Sequence, residues 1–218
     1  MRYIKLKVFT GVLMFSVLLW GCQGQRYEGT VSTTLYEDET MKSGFFKPIL
    51  EAKLPEGFPR PSVVGKIVIK EYPVLRQVRV DKGDNSDSMF MALFNHIKKH
   101  DIAMTAPVEI SFEQNSPEVE MEREAMAFYY QNSRIGLLGT DDGVEVAETE
   151  KGLYLSIALR GGYDDPRFAK SAKQLADWLR EHENEYEQAG PPRALAYNSP
   201  FMLGFLKYSE VQIPINRL

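Results

Sequence analysis

The chain has 218 residues, of which 44% are hydrophobic and 26% charged, with a formal net charge of −4 and a single cysteine. That length can bury one sizeable core. The acidic balance offers no basic patch for nucleic acid, and one thiol excludes a disulfide framework or a zinc knuckle.

Arg2, Lys5 and Lys7 open the chain, and 13 uncharged residues follow, Val8 to Trp20. Such a run is short for a bilayer span and has the length of a secretory h-region. It ends in Leu19-Trp20-Gly21-Cys22, which resembles the lipobox of bacterial lipoproteins, with Trp20 where a small residue is commoner. The expected organisation is a lipoprotein signal peptide over 1–21, a tether over 22–45 and one globular domain over 46–218. Cys22 is the expected lipidation site, which ties the domain to a membrane face. By resemblance to lipoprotein sorting rules, Gln23 points to the outer membrane, facing the periplasm. A plain secretory signal or signal anchor with a chance cysteine is the alternative. Loss of the three basic residues takes the mature chain of 197 residues to −7.

Beyond the tether the periodicity falls into two similar halves. Residues 65–80, GKIVIKEYPVLRQVRV, read as two strands around Tyr72-Pro73. A helix is predicted from about Asp87 to His100 with Asn85 or Ser86 as N-cap, then strands over Met104–Phe112 and Glu124–Tyr130. Within this stretch Ile102–Val108 is uncharged and broken by Pro107, a helix-to-strand connection or a pocket wall. The second half has strands on either side of Lys151-Gly152. A helix capped by Asp165, with Pro166 at its first position, then runs to about Glu187. Strands near Arg193–Tyr197 and Glu210–Ile215 close the chain. Strand, strand, helix, strand, strand occurs twice, as an internal duplication about a pseudo-two-fold axis would give.

The second helix carries a narrow apolar stripe, Phe168, Ala172, Leu175 and Leu179, and is expected to face the core. The first has a wider apolar arc of about 140°, through Met89, Leu93, Ile97, Phe90 and Phe94. The Met89–Leu93 edge is its expected surplus, covering the sheet rim or lining a cavity. His96 and His100 lie four apart at the border of that arc, a spacing that lets two imidazoles reach one metal. No acidic third ligand follows in the pattern of a metalloprotease; Lys98 and Lys99 lie between the two histidines, and two lysines so close disfavour a cation. Two histidines suiting a helix C-terminus, an iron ligand in a haem pocket and a structural zinc site all remain open. His182 is expected to be solvated. No Ser/His/Asp set, phosphate loop or dinucleotide fingerprint appears, and runs such as PEVEMEREA and EHENEYE read as solvated faces. Nothing in the pattern demands an enzyme.

Four stretches, IKEYPVLRQVRV, FMALFNHIKKHDIAMTAPVEISF, LRGGYDDPRFAKSAKQLADWLREH and RALAYNSPFMLGFLKYSEVQIPI, together resemble the SOUL haem-binding proteins from about Val64 to Ile215. The resemblance implies an α+β fold, a distorted β-barrel or pair of sheets built from two βαββ-type repeats with two main helices. It also implies a haem or related tetrapyrrole held non-covalently in a hydrophobic groove beside the first helix, without catalysis. His96 stands where relatives carry an aromatic residue, and the loop before IAMTAPV is shortened to KKHD. On this reading Met89, Leu93, His96, Ile97 and Met104 form the apolar wall and His96 is a possible iron ligand. Lys99, with Lys98, Arg79 and Lys82, could face the propionates. Met104 would offer a soft surface to a flat macrocycle.

Two other readings compete. The duplicated plan also resembles the effector-binding domains of bacterial multidrug regulators, which a buried, unpaired Glu facing a groove would favour. An envelope interaction lipoprotein without a small ligand would be favoured by a groove filled with its own side chains.

Overall fold

A computed structural model describes residues 46–81, 85–113 and 121–218. The signal peptide, the tether, Cys22 and Lys82 lie outside these residues. Among the described residues ten strands form one sheet, and two helices cover it. The first half contributes β1 (Ile67–Tyr72), β2 (Arg76–Asp81), α1 (Ser86–Lys99), β3 (Val108–Phe112) and β4 (Arg123–Tyr129). The second contributes β5 (Gly139–Asp141), β6 (Val144–Glu148), β7 (Gly152–Arg160), α2 (Asp165–Glu181), β8 (Tyr186–Gln188), β9 (Arg193–Ala196) and β10 (Tyr208–Arg217).

The strand order is β1-β7-β10-β9-β3-β4-β2-β6-β5, with β8 attached to β10. Exchanging β1 with β6, β2 with β7, β3 with β9 and β4 with β10 maps the order from β1 to β6 onto itself reversed. The pseudo-two-fold therefore passes between β3 and β9, whose registers pair Glu109 with Leu195 and Ile110 with Ala194. The α+β class, the duplication and the two helices are as expected. Closure is not: β1 and β5 are the two ends of an open sheet.

Strict alternation explains how one sheet carries two different faces. Toward the helices point Val78, Ile110, Phe128, Leu155, Ile157, Ala194, Val211 and Ile213, all within one buried cluster. Met89, Leu93 and Ile97 of α1 and Phe168, Ala172, Leu175 and Leu179 of α2 complete it. The stripe on α2 packs inward as its spacing requires. The intervening residues face the other way, where Tyr72, Tyr129, Leu195, Tyr197 and Tyr208 meet Phe58.

Boundaries differ locally from the sequence reading. The N-cap of α2 is Asp164, not Asp165, and accepts from the Arg167 amide at 3.0 Å. That helix ends at Glu181 because His182 caps it; its ring stacks on Trp178 at 3.8 Å, so His182 is half-buried and not solvated. The chain then turns into β8, whose Gln188 pairs with Ile215. The strand expected from Met104 begins only at Val108, after a cis Ala106-Pro107 peptide.

Candidate functional site

The C-terminal turn of α1 is tightly specified. Asp101 takes a left-handed φ of 54°, and the Ile102 amide donates to Ile97 O at 2.8 Å and the Asp101 amide to Lys98 O at 3.3 Å, the paired bonds of a Schellman stop. Opposite it stands the β5–β6 hairpin. Asp142 and Gly143 adopt φ values of 49° and 83°, the two positive angles that a two-residue I′ turn needs. This turn places Asp141 against the helix end.

Three chemistry-bearing side chains meet there. His96 Nδ1 lies 3.2 Å from Asp141 Oδ2, and His100 Nε2 lies 2.6 Å from the same oxygen. The two imidazole centroids are 4.6 Å apart. His96 Nε2 shares a 2.9 Å hydrogen bond with Tyr130 Oη. Lys99 Nζ donates to Asp141 Oδ1 at 3.0 Å and to Asp142 Oδ2 at 2.7 Å. Burial, with the His100 ring beside it, holds the His96 imidazole below its usual range despite the Asp141 carboxylate. Hydrogen bonds from His100 and then Lys99 hold the Asp141 carboxyl at about 2. Burial pushes the Tyr130 phenol up to about 12. At neutral pH the cluster is thus an unprotonated buried imidazole facing a carboxylate.

The residues expected to wall a haem groove are placed otherwise. Met89, Leu93 and Ile97 are in the core, with Leu93 at 0% exposure, and Met104 is half-buried against the same cluster. The surplus apolar edge of α1 is the opposite one. Phe90 and Phe94 stack at 6.1 Å with an interplanar angle of 11°, and Phe90 rests edge-on against Phe128 at 5.1 Å. Phe94 is 38% exposed and the adjoining Met91 49%. A flat aromatic pair half open to solvent fits the face of a macrocycle, and Lys98 is exposed beside it. His96 turns one nitrogen to Tyr130 and the other to Asp141, so neither is presented to that aromatic pair. Lys99 is held by Asp141 and Asp142, while Arg79 sits on the other face of the sheet, bonded to Asp81 and Ser111.

That other face is a polar floor. Glu210, fully buried, accepts from Lys70 Nζ and the Ser62 amide at 2.7 and 2.8 Å, and from Tyr208 Oη at 2.6 Å. Burial alone would raise its carboxyl, but Lys70 and these hydrogen bonds hold it below the ordinary range. Glu109 accepts from Arg193 at 2.8 Å and from Tyr129 Oη. Arg193 also donates to Gln212 at 3.0 Å and stacks over the Tyr154 ring. Segment 46–64 lies over this floor: Phe58 meets Tyr72 and Tyr129 edge-on, and Leu54 and Phe46 pack alongside.

The sequence reading anticipated His96 and His100 as a pair but missed Asp141 and Tyr130. The Asp-Asp-Gly turn signal was present; nothing local says which helix end it meets.

Compared with known proteins, residues 65–214 match the SOUL heme-binding protein family. The chain belongs to that family, and membership supports a role in binding haem or another tetrapyrrole. Comparison with curated proteins gives no match. Among solved structures it is similar to the C-terminal domain of EcmrR, with 14% identity, a TM-score of 0.52 and coverage of 71% of this chain and 99% of that one. A hydrolase from Listeria innocua is similar at 10% identity and TM-score 0.54, covering 75% and 100%. EcmrR bound to DNA matches at 12% and 0.53, covering 85% and 63%. At such identities the likeness is one of fold alone.

Proposed function

We propose that this protein is a lipid-anchored envelope module that binds haem or a related tetrapyrrole without catalysis. In this reading Cys22 carries the anchor, the domain faces the periplasm from the outer membrane, and nucleic acid is not a partner of a mature chain at −7. The single observation that carries the binding site is the half-open Phe90–Phe94 stack on α1, in a chain of the SOUL family. The macrocycle lies against Phe94 and Met91, with Lys98 positioned for a propionate. Each about 100 Å² of apolar surface so covered contributes roughly 2.5 kcal/mol. His96 forms no bond to iron in this arrangement.

The effector-binding reading called for a buried, unpaired Glu. Glu109 and Glu210 are buried, but each is matched by a cation, Arg193 and Lys70, beneath a segment of the chain itself. That favours tetrapyrrole binding at α1 over a guest on the polar floor. Haemin titration of the chain, followed at the Soret band, tests the proposal. A saturable shift at low micromolar concentration, unchanged in His96→Ala and weakened about tenfold in Phe94→Asp, is expected, equivalent to about 1.4 kcal/mol. No saturable shift, with albumin as positive control, refutes it.

A further inference from the structure

The cluster at the end of α1 has a feature that an ion-pair network does not explain. His96 Nδ1 is buried and has no hydrogen-bond partner. It faces Asp141 Oδ2 at 3.2 Å, but off the line of a hydrogen bond. The other nitrogen of the same ring is engaged by Tyr130, which fixes the imidazole so that Nδ1 alone points into the cluster. A metal-binding histidine is commonly held by its second nitrogen in this way.

The donor geometry suits an ion. Ligands at 2.0–2.1 Å in a tetrahedron stand roughly 3.3 Å from one another. The Nδ1–Oδ2 separation of 3.2 Å already has that length. The candidate donor atoms of His96, His100 and Asp141 all lie within 4.8 Å of one another. His100 Nε2 stands 2.6 Å from Asp141 Oδ2, closer than two ligands of one ion, and the exposed His100 ring has room to swing back to the tetrahedral spacing. The outer side stays open to water.

We propose that His96 Nδ1, His100 Nε2 and Asp141 Oδ2 form a binding site for a late first-row divalent cation of the zinc class, with solvent completing the tetrahedron. Two imidazoles and one carboxylate are the donor set such an ion takes, and they are too few in oxygens for calcium or magnesium. Lys99 is the competing cation. It keeps Asp142, at 2.7 Å, as its partner when Asp141 turns to the metal. The ion would pin the β5–β6 hairpin to the helix end. The site goes beyond the haem reading and is independent of it, because neither ring nitrogen of His96 faces the Phe90–Phe94 stack.

The experiment uses the full-length, tag-free chain in detergent, free of haem, titrated with Co2+ and with Zn2+. Visible ligand-field absorption of Co2+ reports tetrahedral coordination, and calorimetry gives the Zn2+ stoichiometry. One ion per chain is expected. His100→Ala and Asp141→Asn, both outside the core, should each weaken binding at least about 100-fold, and Tyr130→Phe about tenfold through loss of the group that orients His96. Lys99→Gln should tighten binding by removing the competitor, whereas a purely structural ion pair predicts a looser hairpin and no gain in affinity. Phe94→Asp should leave the metal titration unchanged. The third histidine, His182, donates from Nδ1 to Trp178 O at the end of α2 and cannot substitute. Absence of saturable binding in the wild-type chain overturns the proposal, as does affinity undiminished in both ligand variants, or failure of Lys99→Gln to tighten the ion's binding.

Discussion

Replacing Lys70 by methionine should show how the polar floor is held. The Lys70 ammonium donates to both oxygens of Glu210 at 2.7 Å and to Arg60 O at 2.8 Å, and Glu210 has no exposure to water. Lys70→Met keeps most of the volume but strands a carboxylate that still accepts from Ser62, Tyr208 and Gln212. Leaving one member of a buried pair uncompensated costs about 3–5 kcal/mol. For a chain of this size that is a fall in Tm of roughly 6–20 °C. Urea melts of wild type, Lys70→Met, Glu210→Gln and the double variant close a thermodynamic cycle. The double variant should be more stable than Lys70→Met, since it removes the orphaned charge. The pH dependence follows from the sign of the Glu210 shift. Its carboxyl lies below the ordinary 4.5 in the fold, so the pair's contribution is present above that pH and is lost as pH falls through the lower folded value. Lys70→Met should blunt this acid sensitivity. A loss below about 1 kcal/mol for Lys70→Met would refute the reasoning, because the floor would then be wet or the pair idle.

The other expectations concern the anchor, the lid and the helix end. With Cys22 as the proposed anchor, Cys22→Ser should move the chain from the membrane to the soluble fraction and remove an acyl mass that mass spectrometry of the wild-type chain is expected to detect. Phe58→Ala should cost about 3–5 kcal/mol and hasten proteolysis within 46–64, read by limited digestion, because its ring closes over Tyr72 and Tyr129. Gly136 has a φ of +74° and a Cβ there would stand 2.5 Å from Tyr130 Cε2. Gly136→Ala should therefore displace the phenol from His96, read as a changed His96 imidazole resonance in NMR. Asn85→Ala should cost about 1 kcal/mol in a urea melt, since its side chain accepts from the Ser88 amide at 2.9 Å at the start of α1.

Alternation and capping made most of the fold legible. Lys70, Arg193, Glu210 and Gln212 share a parity in their strands, yet their types read as solvent-facing. A single sequence does not say that residues 46–64 will cover them, so a solvated face and a buried polar floor look alike. The two halves were visible because hydrophobic period and turn residues are local signals. Closure was not, since it depends on whether distant edges meet. On α1 the width of the apolar arc was right and its direction was not. The wheel fixes which residues adjoin, but the sheet decides which edge is buried, and Phe128 drew Phe90 only part of the way in. Asp141 escaped for the same reason: the partner of a helix end is a tertiary fact.

The strand order has a last consequence. β1 is hydrogen-bonded to β7 and β6 to β2, so each repeat lends its leading strand to the other. Neither repeat can satisfy its own backbone, and cutting the chain between Tyr130 and Gly139 would leave two fragments, each lacking a neighbour for its outermost ribbon. Mixed in solution, such fragments should reassociate one to one, and an isolated repeat could complete its ladder only by embracing a second copy of itself.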